Sequence, residues 1–183
     1  MVTAALPNLL ERWSRGDHVA FDALLTELYA EMHGIAAKVL RHERQLTLQP
    51  TELVHEVYLR LSTLSHLRLE DRTHFLSLAA RVLRQVLVDE ARARRTQKRY
   101  GGQQVTLSDT KLGAGLAYDA LDVDDLLLEL HDQDPLAADI VTMRVFGGLS
   151  IAEVADVLAA SVATVNRRWA TGKAWLAWEL QKR

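Results

Sequence analysis

Apolar residues return every three or four positions along most of this chain, the spacing of helices that each bury one face. Between Val19 and Leu40 the series runs Phe21, Leu24, Leu25, Leu28, Met32, Ile35, Ala36 and Val39. A shorter helix from Leu6 to Ser14 precedes it and stops near Gly16. Pro50 and Thr51 open another, in which Leu53, Val54, Val57, Tyr58, Leu61 and Leu64 repeat at three and four. A polar stretch from Ser65 to Arg72 leads into a long helix over about Thr73 to Arg95, with Phe75, Ala79, Val82, Val86 and Ala93 predicted on its core face. Together these elements predict a compact helical domain over residues 1–98.

Gly101 and Gly102 end that domain, and the Gly, Ser and Thr that follow show no sustained period, which predicts a linker over 99–119. Helical spacing resumes at Ala120 to Leu130, Pro135 to Phe146, Ile151 to Ala159 and Val162 to Leu180, with breaks at DQDP, GGLS and around Ser161. A second helical domain over 120–183 is therefore predicted. Few Gly, three Pro and an apolar set dominated by Leu, Ala and Val favour helices over sheets. The expected fold is all-α, two small helical domains joined by a flexible acidic linker.

Composition removes several classes of chemistry. The sequence has no Cys, so disulfides, thiolate metal sites and cysteine nucleophiles are out. No run approaches the roughly 20 apolar residues of a membrane span. The opening MVTAALPNLLERW turns polar too soon for a secretory signal, so a cytoplasmic location without membrane contact is expected. The formal net charge of −2 conceals a partition. Arg81 to Arg99 holds seven basic residues against Asp89 and Glu90, a net of +5. Asp109 to Asp139 holds nine acids against Lys111, a net of −8, and Ser161 to Arg183 holds five bases against Glu179, a net of +4. Two basic blocks flanking an acidic one suggest two contacts with a polyanion.

Three segments carry candidate chemistry. In SIAEVADVLAASVATVNRRW, Ala155 is the small residue that a helix-turn-helix needs where its helices cross, and Ser161 is a natural N-cap for the second helix. Val154, Leu158, Val165 and Trp169 form the inward set. Ser161, Val162, Ala163, Thr164, Asn166, Arg167 and Arg168 then lie at or near a major groove, where Asn reads adenine, Arg reads guanine and Thr or Ala packs on a thymine methyl; Lys173 is better placed for phosphate. An ordinary helical hairpin with solvated Arg residues fits the same spacing. On the long helix, Arg81, Arg84, Arg92, Arg95 and Arg99 fall along one face, which suits a phosphate backbone but also a plain solvated surface. In LQPTELVHEVYLRL, apolar residues spread over more faces than a small domain covers, beside Glu52, Glu56 and Arg60; a partner-docking helix and a core helix are both compatible with that pattern.

The segments LTLQPTELVHEVYLRL, FLSLAARVLRQVLVDEARARRTQKR and DPLAADIVTMRVFGGLSIAEVADVLAASVATVNRRWATGKAWLAWEL occur in that order. Together they resemble the sigma-70 family of RNA polymerase sigma factors, extracytoplasmic-function (ECF) group, in particular its ECF-like branch with a TLQPTxLVHExYLRL signature. The likeness spans nearly the whole chain. It implies sigma region two at 1–98 and region four at 120–183. The implied partners are promoter DNA and the polymerase core, through the β′ clamp helices and the β flap, with an anti-sigma factor as a further partner. It places core docking on Glu52, Leu53, Glu56, Val57 and Arg60. It places −10 contacts on His74, Arg81, Arg84, Gln85, Arg92 and Arg95, and −35 reading on the second helix of the C-terminal motif. The acidic linker would lie in the RNA exit path of the core enzyme.

Four positions depart from the family pattern. Ala159 stands where Gly commonly permits a positive φ, so a strained turn is expected. Asn166 replaces a frequent Lys, and Thr171 and Gly172 stand where Arg and Ala are usual, which predicts weaker backbone binding and a looser helix. A stand-alone helix-turn-helix regulator is the alternative function. An enzyme is the third: His66 and His74 flank Glu70 and Asp71, yet their spacing matches no recognised ligand set, and no HExxH, nucleophile elbow or phosphate loop occurs. No cofactor, metal or catalytic residue is expected.

Overall fold

The computed structural model describes residues 6–41, 48–64, 69–96, 104–106 and 117–182, with backbone alone at 94–96 and in the two strands. Its helices are α1 (Leu6–Ser14), α2 (His18–Leu40), α3 (Pro50–Ser62), α4 (Arg72–Thr96), α5 (Ala120–Gln133), α6 (Pro135–Phe146), α7 (Ile151–Val157) and α8 (Val162–Leu180). Two short strands, β1 (Gln104–Thr106) and β2 (Ala117–Asp119), pair antiparallel with Val105 opposite Tyr118. They fall within the segment predicted as a linker and leave the fold all-α.

The helix boundaries follow from local chemistry. Gly16, at φ +92°, reverses the chain after α1, and Asp17 caps α2 by accepting from the Ala20 amide at 3.0 Å. Pro50 begins α3, where the Glu52 carboxylate accepts from the Gln49 amide at 2.6 Å. Asp134 accepts from the Ala137 amide at 3.1 Å and caps α6. Ser150 and Glu153 form a reciprocal capping box on α7, with bonds of 3.2 and 2.7 Å. Ser161 caps α8 as its sequence suggested, accepting from the Thr164 amide at 3.1 Å.

An aromatic chain ties the first four helices together. Trp13 of α1 stacks on Phe21 of α2 at 4.7 Å and meets Phe75 of α4 edge-on at 5.9 Å, while Phe21 stacks on Tyr58 of α3 at 5.3 Å. Each such pair contributes about 0.5–1.5 kcal/mol beyond the area it buries. The Tyr58 hydroxyl donates to Asp22 at 2.9 Å, and that carboxylate raises the pKa of the phenol.

The two helical groups lie against each other. α4 packs on α5, α6 and α7 as well as on α3, and α2 touches α6. The buried apolar side chains form one continuous cluster from Leu6 to Leu180. Close approach is made possible by glycine. A Cβ on Gly147 would lie 3.0 Å from the Ala80 Cβ, and one on Gly148, at φ +65°, would lie 3.0 Å from Ile35. Because α4 is covered from both sides, Leu76, Ala80, Leu83, Leu87 and Val88 are buried along with the predicted Phe75, Ala79 and Val86. Val82 is only half-buried, and Ala93, predicted as core, is exposed near the end of the helix. Among the described residues no helix is long and apolar enough to cross a membrane.

Candidate nucleic-acid and partner interfaces

The α7–α8 pair is a helix-turn-helix in geometry as well as in sequence. Val154, Val165 and Trp169 are buried, Leu158 is half-buried, and Ala155 is buried at the crossing. The turn runs through Ala159 at φ +47°, the one non-glycine positive φ among the described residues. The strain expected of Ala at that place is therefore present in the backbone, at a cost of about 1–2 kcal/mol. Ser161, Val162, Ala163, Asn166 and Arg167 are exposed, and Thr164 is half-exposed with its hydroxyl bonded to Ser161 at 2.9 Å. A helix N-terminus followed by this exposed set is the form that enters a major groove.

Two of the predicted −35 residues have work inside the protein. Arg168 pairs with Asp134 at the start of α6. Lys173 lies 5.5 Å from the Trp169 ring, which Arg144 of α6 also faces at 5.0 Å. Arg144 further donates to the Leu149 carbonyl at 2.7 Å, so it joins the α6–α7 turn to α8. Neither Asp134 nor Arg144 was singled out from the sequence; DP before a helical run marks a cap, but a long-range pair leaves no local signal. Gly172 differs from expectation. It is buried where α8 crosses α5 and α6, and a Cβ there would meet Val141 at 3.3 Å, so its small size serves packing instead of merely loosening the helix.

The basic face of α4 is engaged rather than bare. The Arg84 guanidinium meets the Asp124 carboxylate of α5 at 2.7 and 2.8 Å, with side-chain exposures of only 19% and 12%. Arg84 also donates to the Asp124 carbonyl at 3.2 Å. Arg92 reaches Asp124 at 3.9 Å and Asp89 at 4.0 Å, and Arg81 reaches Asp139 of α6 at 3.4 Å. Gln85 is exposed and bonds Asp89 at 3.3 Å, and the His74 ring lies 3.0 Å from Asp71. The side chain of Arg95, together with Arg99 and His66, lies outside the described residues.

Arg72, which the sequence did not single out, opens α4 between two acids. It pairs with Glu31 of α2 and donates to Glu153 of α7 at 2.8 Å. These carboxylates raise the Arg72 pKa further above its already high value. Burial alone would push the Glu153 carboxyl up, but the Ser150 amide and hydroxyl and the Arg72 charge together hold it below the usual carboxylate range. Most of the acidic block lies on α5 and α6, as Asp122, Asp124, Asp125, Glu129, Asp132 and Asp139, and not in the stretch between the helical groups.

On α3 the implied docking residues divide by burial. Leu53 and Val57 are completely buried on the side of the helix that packs on α2 and α4. Glu52 and Leu59 are exposed, Glu56 is half-exposed, and Arg60 pairs with Asp89 of α4 at 2.7 Å.

No curated protein matches the chain at a significant level. A family model described as ECF sigma factor matches residues 3–182, which covers the four-helix group, the strands and the helix-turn-helix alike. The chain therefore belongs to the ECF sigma factor family, within the sigma-70 family, and is a DNA-binding RNA polymerase sigma factor rather than an enzyme.

Proposed function

We propose that this sigma factor directs initiation at promoters with two DNA elements, using residues 1–98 as region two, 99–119 as the connection and 120–183 as region four. The observation that carries this reading is the exposed N-terminal face of α8, set on a helix-turn-helix core. On that face Asn166 and Arg167 have the donors that read adenine and guanine, Val162, Ala163 and Thr164 offer apolar contact, and Ser161 reaches the backbone. Arg168 and Lys173 contribute charge near phosphate once their internal contacts are released. The basic side of α4, with His74, Arg81, Arg84, Gln85, Arg92 and Arg95, engages the −10 element. The exposed side of α3, with Glu52, Glu56, Arg60 and Leu59, docks on the β′ clamp helices, and region four meets the β flap. Leu53 and Val57 support that side from within. The protein works in the cytoplasm, where an anti-sigma factor is one route to its control.

Run-off transcription with core polymerase on a pool of genomic fragments tests the reading. Discrete start sites that require the added chain, and that shift or vanish with Arg167→Ala, are expected. Binding of a duplex operator by the chain alone, with no effect on initiation, would favour a stand-alone regulator instead.

A further inference from the structure

One carboxylate in the C-terminal helical group serves two helices through different oxygens. Oδ1 of Asp134 accepts from the Ala137 amide at 3.1 Å and caps α6, while Oδ2 accepts from the Arg168 guanidinium of α8. The backbone fixes Asp134 independently of that pair. Its amide donates to the Leu130 carbonyl at 2.7 Å, its carbonyl accepts from the Ala138 amide at 3.1 Å, and Pro135 follows it. Asp134 therefore keeps its place whether or not Arg168 is bound to it.

Arg168 is the half of the pair that can leave. Its side chain is 44% exposed, against 20% for Asp134, and pairs this open to water are weak. It sits between the exposed reading residues Asn166 and Arg167 and the buried Trp169. Phosphate oxygens offer a guanidinium the same kind of acceptor as a carboxylate, so a DNA backbone beside α8 and Asp134 seek the same N–H groups. Which one wins depends on how firmly the phosphate is held there. An arbitrary duplex is held by phosphate contacts alone. A matching site is held by base contacts from Asn166 and Arg167 as well, which keeps its backbone beside Arg168.

Resting on the proposed −35 reading, we propose that Asp134 is a specificity-determining residue: its carboxylate competes with a backbone phosphate for Arg168, so that Arg168 joins DNA only where the face of α8 has already found its bases. Specificity is a difference of affinities, and it rises here because the competitor weakens arbitrary complexes more than matching ones.

Asp134→Asn removes the charge and keeps a side chain that caps helices as well as Asp does. Asp132→Asn, exposed and close to the same helix junction, is the charge-matched control. Binding of the full chain to a mixed-sequence duplex is followed by fluorescence anisotropy across a salt series. Asp134→Asn should bind at least threefold tighter than Asp132→Asn, with a log–log salt slope steeper by about 0.9, the value of one additional phosphate contact. Arg168→Ala should leave the otherwise unaltered chain nearly unchanged on this duplex, and Asp134→Asn/Arg168→Ala should lose the whole gain. With core polymerase on the pool of genomic fragments, Asp134→Asn should start transcription at additional sites. A gain that survives without Arg168, or that Asp132→Asn matches, would overturn the competition. So would a loss of affinity, which would make Asp134 a support that holds Arg168 toward DNA. Tighter binding with no additional start sites would overturn the role in specificity. The two ideas fail separately: if Arg167→Ala abolishes the start sites while Asp134→Asn changes nothing, region four still reads promoters and only the role of Asp134 falls. If the gain passes through Arg168 but no start site requires the chain, the −35 reading falls instead.

Discussion

Helices α4 and α8 both present arginines that sequence alone would assign to DNA, but the structure treats them differently. On α8, Asn166 and Arg167 point to solvent from a helix whose opposite side is anchored by Val165, Trp169, Leu176 and Leu180. On α4, Arg84 is mostly covered and bound to Asp124, and the helix is packed on both sides. The contrast teaches that a basic stripe records charge and not availability. Which acids lie opposite is decided by tertiary packing.

The largest effect that would sharpen this comparison concerns the support of α8. Trp169→Ala removes a buried ring together with its contacts to Arg144 and Lys173, and should destabilise the protein by about 3–5 kcal/mol in urea unfolding. Arg84→Ala comes next. It leaves Asp124 buried without its main partner, and a loss of about 1–3 kcal/mol is expected, below that of a fully enclosed pair because some solvent remains. Arg167→Ala, its exposed counterpart on α8, should lie within about 0.5 kcal/mol of the unaltered chain. Equal losses at the two positions would break the comparison.

Acid should weaken the α7 capping box and, with it, the tie from Glu153 to Arg72 of α4. Glu153 titrates lower when folded than when unfolded, so its contribution is complete above the ordinary carboxylate range and is lost as pH falls through its lowered folded value. Thermal midpoints measured downward from pH 5 should fall, and Glu153→Gln should flatten the part of that fall that belongs to this group. The smallest effect lies at the α7–α8 turn. Ala159→Gly relieves a positive φ but adds freedom to the unfolded chain, so a gain of up to about 1 kcal/mol is expected, a few degrees in the melting midpoint.

Much of the helical frame was legible because apolar periodicity, Pro50, Pro135, Gly16 and Ser161 are local signals read within one turn of chain. The strained turn was legible only through the family resemblance, which puts Gly where Ala159 stands. What stayed hidden was long-range. Asp124 and Asp139 read as part of an acidic block set between two basic ones, yet α5 and α6 bring them onto Arg84 and Arg81. Leu53 and Val57 looked like part of a docking surface, but α2 and α4 cover them. Gly172 looked like a weak point in α8, and only the crossing with α5 and α6 gives its small size a purpose.

The most direct test of the account is association of the full chain with core polymerase, followed by size-exclusion chromatography of the purified components. The account predicts a one-to-one complex that is weakened by reversing charge at Glu52 and Glu56 on the exposed side of α3. Elution of the chain apart from core enzyme at micromolar concentrations of both would contradict it.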